Sequence, residues 1–363
     1  MLNAVILYSV GSPQNLTTAC LKDFLNRFLS DKLVVKMPRF LWQPILHSLI
    51  LPTRPERLKE RYGAIFDHES NPYLALCERL ATALQANLNK PSTNSGSADQ
   101  YVVKMSYAYC APYLEPTLYE LAAQGCQRIT VIPLFPQYSD TTSKRPRLIL
   151  ERFAQERPDL ECHLVSSYAS NPIYLDALSD LTRSFLYGTG AQMSEAEPQP
   201  TNQSPASTSA SAPPVASAVA APERTHLLLT FHSLPKSYIR LGDPYLSEVA
   251  ATVQGLKARL NLSEASFSLA YNGRFGPMAW LKPDLEDEVT RLLEQGVQHL
   301  MVVAPGFAVD CLETLYDINL KLKERFIHQG GERFTYIPCL NDTQLHVNVL
   351  TELCLKAPKL PAH

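Results

Sequence analysis

Two apolar runs each end on groups that can move protons or hold a metal. The first is Leu227-Leu-Leu-Thr-Phe-His232-Ser-Leu-Pro235; the second is Leu300-Met-Val-Val-Ala-Pro-Gly-Phe-Ala-Val-Asp310-Cys-Leu-Glu313-Thr-Leu315. A neutral imidazole, with an intrinsic pKa of about 6.5, can take up a proton near neutral pH, and a facing carboxylate can share that proton or a divalent cation. Such a pair needs no further cofactor, and the chain reads as an enzyme. Each residue also has a plainer reading. His232 could be satisfied by local hydrogen bonds, and Asp310-Cys-Leu-Glu313 matches a capping box at a helix start. Against the cap, Asp310, Glu313 and Asp317 stand at i, i+3 and i+7, a spacing that would line three carboxylates along one helical face as a path for a metal ion or for protons.

Both runs are predominantly apolar with no regular polar alternation, as expected of strands buried on two faces of a parallel sheet. In such sheets the chemistry collects where strands end. Further strands are expected at Ala4–Val10, Tyr101–Ser106, Arg128–Leu134, Cys162–Ser166, Ser266–Ala270 and Thr335–Pro338, alternating with helical patterns. The halves echo each other at Gln124-Gly125 and Gln295-Gly296, each a helix end with a glycine cap before a buried strand. The expected architecture is therefore α/β, with two similar Rossmann-like domains whose parallel four-stranded sheets face a shared cleft.

The chain has 363 residues and 45% apolar content, enough for two cores. The expected division is an α/β domain over 1–187, a Ser/Ala/Pro-rich disordered insertion over 188–222, and a second α/β domain over 223–363 whose last helix could pack back on the first. A net charge of −2, from 33 basic and 35 acidic residues, leaves no basic field for a nucleic acid. No G-x-G-x-x-G or G-x-x-x-x-G-K-[ST] follows a strand, which disfavours a nucleotide-dependent enzyme. Eight cysteines without a C-x-x-C pair fit a reducing cytoplasm. The N-terminal apolar run reads as a buried strand rather than a signal peptide. Phe40–Leu51 is too short to span a membrane and is broken by Pro44; it could form a peripheral membrane lip, with Leu46 and Ile50 as contacts, or pack on its own domain.

His232-Ser-Leu-Pro235 and Asp310-Cys-Leu-Glu313-Thr-Leu315 together resemble the ferrochelatase family, whose members insert ferrous iron into a porphyrin. Further landmarks in order are Leu51-Pro-Thr-Arg-Pro55, Pro133-Leu-Phe-Pro-Gln-Tyr-Ser139, Gly242-Asp-Pro-Tyr245, Arg274-Phe-Gly-Pro-Met-Ala-Trp-Leu281 and Leu340-Asn-Asp342. The resemblance implies that His232 and Glu313 are catalytic and contact the metal, that Asp310 and Asp317 lie on its proton or metal path, and that Tyr109, Tyr138, Trp280 and Arg54 bind the porphyrin. It implies Fe2+ and protoporphyrin IX as substrates in the last step of haem synthesis, on the inner face of the membrane or free in the cytoplasm. Val10 stands where coproporphyrin-using relatives carry a tyrosine. Some relatives ligate a [2Fe–2S] cluster with four cysteines, whereas beyond Glu313 this chain has only Cys339 and Cys354, so no cofactor beyond the substrate iron is expected. Ser9-Val-Gly-Ser-Pro13, Ala108-Tyr-Cys110 and Gln137-Tyr-Ser-Asp-Thr-Thr142 depart from the family pattern. Those departures motivate one alternative, a porphyrin- or haem-binding protein without turnover; a further alternative is a related chelatase for another tetrapyrrole, coproporphyrin III or the substrate of a cobalt chelatase.

Overall fold

A computed structural model describes residues 1–66, 71–91, 99–188, 225–261 and 263–361. The expected insertion beyond Gly188 lies outside the described residues.

The first half runs β1 (Leu2–Ser9), α1 (Thr18–Leu29), α2 (Arg39–Ile45), a π-helical turn (Leu46–Ile50), α3 (Arg54–Gly63), α4 (Pro72–Leu88), β2 (Gln100–Tyr107), α5 (Leu114–Ala123), β3 (Arg128–Pro133), α6 (Lys144–Glu156), β4 (Glu161–Leu164) and α7 (Pro172–Leu186). The second runs β5 (Thr225–His232), α8 (Lys236–Arg240), α9 (Tyr245–Leu260), β6 (Phe267–Asn272), α10 (Leu285–Glu294), β7 (His299–Val303), a π-helix (Glu313–Leu322), α11 (Lys323–His328), β8 (Arg333–Ile337) and α12 (Gln344–Leu355). Every expected strand is present. The sheets have the same order, β2-β1-β3-β4 and β6-β5-β7-β8, and all their pairings are parallel.

Side chains alternate across these strands, and each face finds a core. Val5 and Leu7 of β1 and Leu227, Leu229 and Phe231 of β5 enter one continuous cluster shared by the two halves. Their neighbours Ala4, Ile6 and Tyr8 pack under α5 and α6, while Leu228 packs under α10 and the π-helix. Burial on both faces is why the sequence shows unbroken apolar runs rather than alternation. The expected echo is structural: Gly125 and Gly296 take φ of +85° and +83°, closing α5 and α10 in the left-handed region that favours glycine. At the other end of the chain, α12 packs on α4 and α7, and Pro358–Leu360 hydrogen-bond the edge strand β4.

A smaller cluster joins α1, α2 and α3 through Leu21, Leu25, Leu29, Trp42, Leu46, Leu58 and Tyr62. Phe275 and Leu312 of the second half pack against it, so this helical group sits beside the ends of β6 and β7. Leu46 is fully buried here, which corrects its expected place on a membrane lip, and Ile50 packs against the same core. The π-helical turn rotates both residues inward. The apolar residues turned to solvent are instead Phe40, Leu41, Ile45 and Leu49.

Candidate active site

β5 and β7 lie side by side, so their carboxyl ends deliver His232 and the Asp310–Glu313 segment to one place. The His232 Nδ1 is 3.0 Å from Glu313 Oε1 and 2.9 Å from Oε2. An ionised carboxylate only accepts, so this contact assigns the proton to Nδ1 and leaves the lone pair on Nε2. The ring is 46% accessible although protein surrounds it closely, the combination expected at the floor of a cleft. Burial pulls the imidazole pKa down, but the Glu313 charge and hydrogen bond, with Asp317 farther off, outweigh it and leave the pKa raised.

Glu313 opens the π-helix, whose i→i+5 pattern is frequent at functional sites. Glu313 does not cap it. The residue before the helix is Leu312, which makes no side-chain cap bond, and the Glu313 oxygens go to His232 and Asn272. The expected row of three carboxylates is also corrected, because Asp310 lies before the helix and turns inward. It is buried, accepting from Thr314 Oγ1 at 2.9 Å and Asn341 Nδ2 at 2.7 Å, and from the Tyr336 hydroxyl at 2.5 Å. Those donors tie the start of the π-helix to the loop after β8. Asp310→Ala would strand all of them, at an expected cost of about 3 kcal/mol in urea unfolding. Unchanged stability with lost turnover would instead assign Asp310 to the chemistry.

Asp317 remains on the Glu313 side of the π-helix, one turn on, where it pairs with Arg61 of α3. Burial pushes its carboxyl up to about 6, with Arg61 opposing and Glu313 adding to the rise. It therefore changes charge within a unit or so of neutral pH. Folding and titration are linked: the folded value lies above the ordinary carboxylate range, so its contribution to stability is full below pH 4 and is lost as pH rises through about 6.

The aromatic and basic candidates are held by other partners on several elements. Trp280 bridges to Pro235, three residues past His232. The Arg54 guanidinium lies 4.2 Å from the Phe275 ring centre, and one of its terminal nitrogens is buried without a hydrogen-bond partner. Tyr138 is half-buried on the loop after β3, its backbone N–H bonded to Glu248 and its hydroxyl 3.4 Å from Asp140. Tyr109 is buried edge-on against Phe28 and donates to Asp31 at 2.6 Å. Three further groups of the site escaped the sequence reading: Asn272, Gly273 and Arg61. An Asn-Gly pair at a strand end and an arginine on a charged helix carry no signal of their own; only the fold brings them to Glu313 and Asp317.

Among the described residues no three His, Cys, Asp or Glu side chains are grouped to hold a metal. The pair His232–Glu313 offers two donors, and its free Nε2 can serve as a base or a ligand. The ferrochelatase family model matches residues 2–357. The chain belongs to the ferrochelatase family. Ferrochelatases of Photobacterium profundum (33% identical, covering 96% of this chain and 95% of the relative) and Edwardsiella ictaluri (34%, 98% of each) are similar to it, as is a coproporphyrin III ferrochelatase of Streptococcus mutans (31%, 96% of each). The fold also resembles that of a cobalt-bound sirohydrochlorin chelatase of Bacillus subtilis, with a TM-score of 0.51 at 10% identity over 98% of this chain and 95% of that one. A ferrochelatase is a metal chelatase acting on a porphyrin, and that description suits two side-chain donors, one of them an imidazole accessible to solvent.

Proposed function

We propose that this protein inserts Fe2+ into protoporphyrin IX, releasing two protons and forming haem. The observation that carries the reading is the His232–Glu313 contact at 2.9–3.0 Å, made between the end of β5 and the first residue of the π-helix. His232 Nε2 accepts a pyrrole proton, and Glu313 holds the resulting imidazolium and steadies the entering metal. Asp317, titrating near 6 and held in place by Arg61, passes protons on to solvent. Asp310 stays off that path and holds the helix start.

A planar macrocycle in the cleft would meet Trp280 beside Pro235, Tyr138 from the opposite half, and Arg54, whose orphaned nitrogen suits a propionate. Tyr109 lies farther in, as a buried wall held by Asp31. The second reading is coproporphyrin III, favoured by the Streptococcus mutans relative; Val10 in place of tyrosine supports protoporphyrin. Anaerobic incubation with Fe2+ and an equimolar mixture of the two porphyrins separates them. Conversion of protoporphyrin first supports the reading, conversion of coproporphyrin first reverses it, and conversion of neither leaves a binding protein.

No described helix is long and apolar enough to cross a membrane. We place the enzyme in the cytoplasm with a peripheral contact on the inner membrane face through Phe40, Leu41, Ile45 and Leu49, which are 76%, 50%, 38% and 65% exposed on α2 and the π-helical turn. Such a contact would let a poorly soluble porphyrin pass between lipid and cleft. The double variant Phe40→Ser/Leu49→Ser is expected to lose most liposome binding and to slow turnover of lipid-borne porphyrin, while detergent-dispersed porphyrin turns over as before. Liposome binding equal to that of the parent would remove the contact.

A further inference from the structure

We propose that Asn272 is a positioning residue for metal insertion, acting through Glu313, and that Gly273 provides the space in which Glu313 and His232 meet. The inference rests on the reading of His232 and Glu313 as the working pair, and it concerns what holds that pair.

Asn272 is the last residue of β6 and stands directly opposite His232 in the sheet register. The backbone N–H of Ser233 donates to the Asn272 carbonyl at 2.6 Å, so the ends of β5 and β6 are fixed to each other. From this anchor the Asn272 side chain reaches across: Nδ2 donates to Glu313 Oε1 at 3.2 Å. The same oxygen lies 3.0 Å from His232 Nδ1. Glu313 therefore has two side-chain donors, each carried by an adjacent strand end. A glutamate has a long, flexible arm, and one donor leaves its carboxylate free to swing about that contact; a second donor from a different direction fixes the plane. Nearby Arg61 would compete for a loose carboxylate, yet it is held by Asp317.

Gly273 follows at φ +86°, in the left-handed region. A Cβ there would lie 2.5 Å from His232 Cε1, 2.7 Å from Nδ1 and 3.2 Å from Glu313 Oε1. The first two separations are impossible for real atoms, so any side chain would push the imidazole off the carboxylate. The two residues act together: one supplies a donor, and the other supplies room for the contact it steadies. The positioning role rests on one amide N–H of Asn272, the one given to Glu313.

Asn272→Leu removes the donor at similar size and is expected to lower kcat for Fe2+ insertion about tenfold to a hundredfold, with the porphyrin KM and the melting temperature little changed. Asn272→Ala gives the same loss without added bulk, should leucine prevent folding. Asn272→Gln keeps an amide and is expected to recover part of the rate, which a packing role would not allow. In a double-mutant cycle, Asn272→Ala added to Glu313→Ala, which removes the acceptor, should cost less than about twofold more than Glu313→Ala alone. Additive losses, a raised porphyrin KM at constant kcat, or full activity in both the alanine and leucine variants would overturn the role of Asn272. Those results leave the reading of the pair intact as long as Glu313→Gln is itself inactive; an active Glu313→Gln enzyme would overturn both.

Discussion

His232→Ala is expected to abolish metal insertion, by a factor of about 10²–10⁴, while the porphyrin still binds with nearly unchanged affinity. The ring contributes one free nitrogen to the cleft and one bond to Glu313, and it holds no part of either sheet together. Its loss leaves Glu313 with Asn272 as a partner, so no buried charge is stranded and the fold should melt at nearly the parent temperature. Porphyrin fluorescence titration and anaerobic haem formation, measured on the same preparation, separate binding from turnover. Undiminished haem formation would sink the assignment of the base. Loss of porphyrin binding in step with turnover would make His232 a wall of the pocket instead.

The pH dependence of the parent enzyme follows from the same contact. Only neutral imidazole can accept a proton, and the raised pKa of His232 keeps the ring protonated to higher pH than a free histidine. Turnover should therefore climb with pH through a range above 6.5, the ordinary value. The sign is opposite for stability. A group whose pKa is raised on folding contributes most below the unfolded value and loses that contribution as pH rises through the folded one. The enzyme should gain activity and lose a little stability over the same interval.

The eight strands were legible because burial on both sheet faces favours apolar runs over alternation, and the parallel order follows from helices between them. His232 and Glu313 were legible for the related reason that a parallel sheet delivers its strand ends to one edge. Spacing misled at Asp310. Side chains at i, i+3 and i+7 align only on a regular α-helix running from Asp310 onward, whereas the chain enters a π-helix only at Glu313 and turns Asp310 into a pocket of hydroxyl and amide donors. The segment Phe40–Leu51 was readable as apolar but not as to which side faces in, because the π-helical turn after Ile45 shifts the periodicity and sends Leu46 to the core. Asn272, Gly273 and Arg61 were invisible for a different reason. Their significance lies in contacts with residues 41, 40 and 256 positions away, which only tertiary structure creates.

Glu313→Gln isolates charge from shape. The amide oxygen, placed where Oε1 lies, can still accept from both Asn272 Nδ2 and the His232 Nδ1–H, so packing stays close to the parent and the melting temperature should barely move. What is lost is the negative charge that steadies an imidazolium and an incoming cation. A large fall in kcat is expected, of the order of 10²–10³, the scale seen when one charge-stabilising group is removed from an active site. A second consequence distinguishes this from a general disturbance. Glu313 is what lifts the His232 pKa against burial, so without it burial prevails and the pKa falls. The residual activity should then reach its plateau at lower pH than in the parent, even though the plateau is far lower. A plain loss of structure predicts no such shift. If the acidic limb stays in place while activity falls, Glu313 serves the metal alone and the proton is handled without it. If activity stays high and the limb moves down, the carboxylate tunes the base but the metal does not need it.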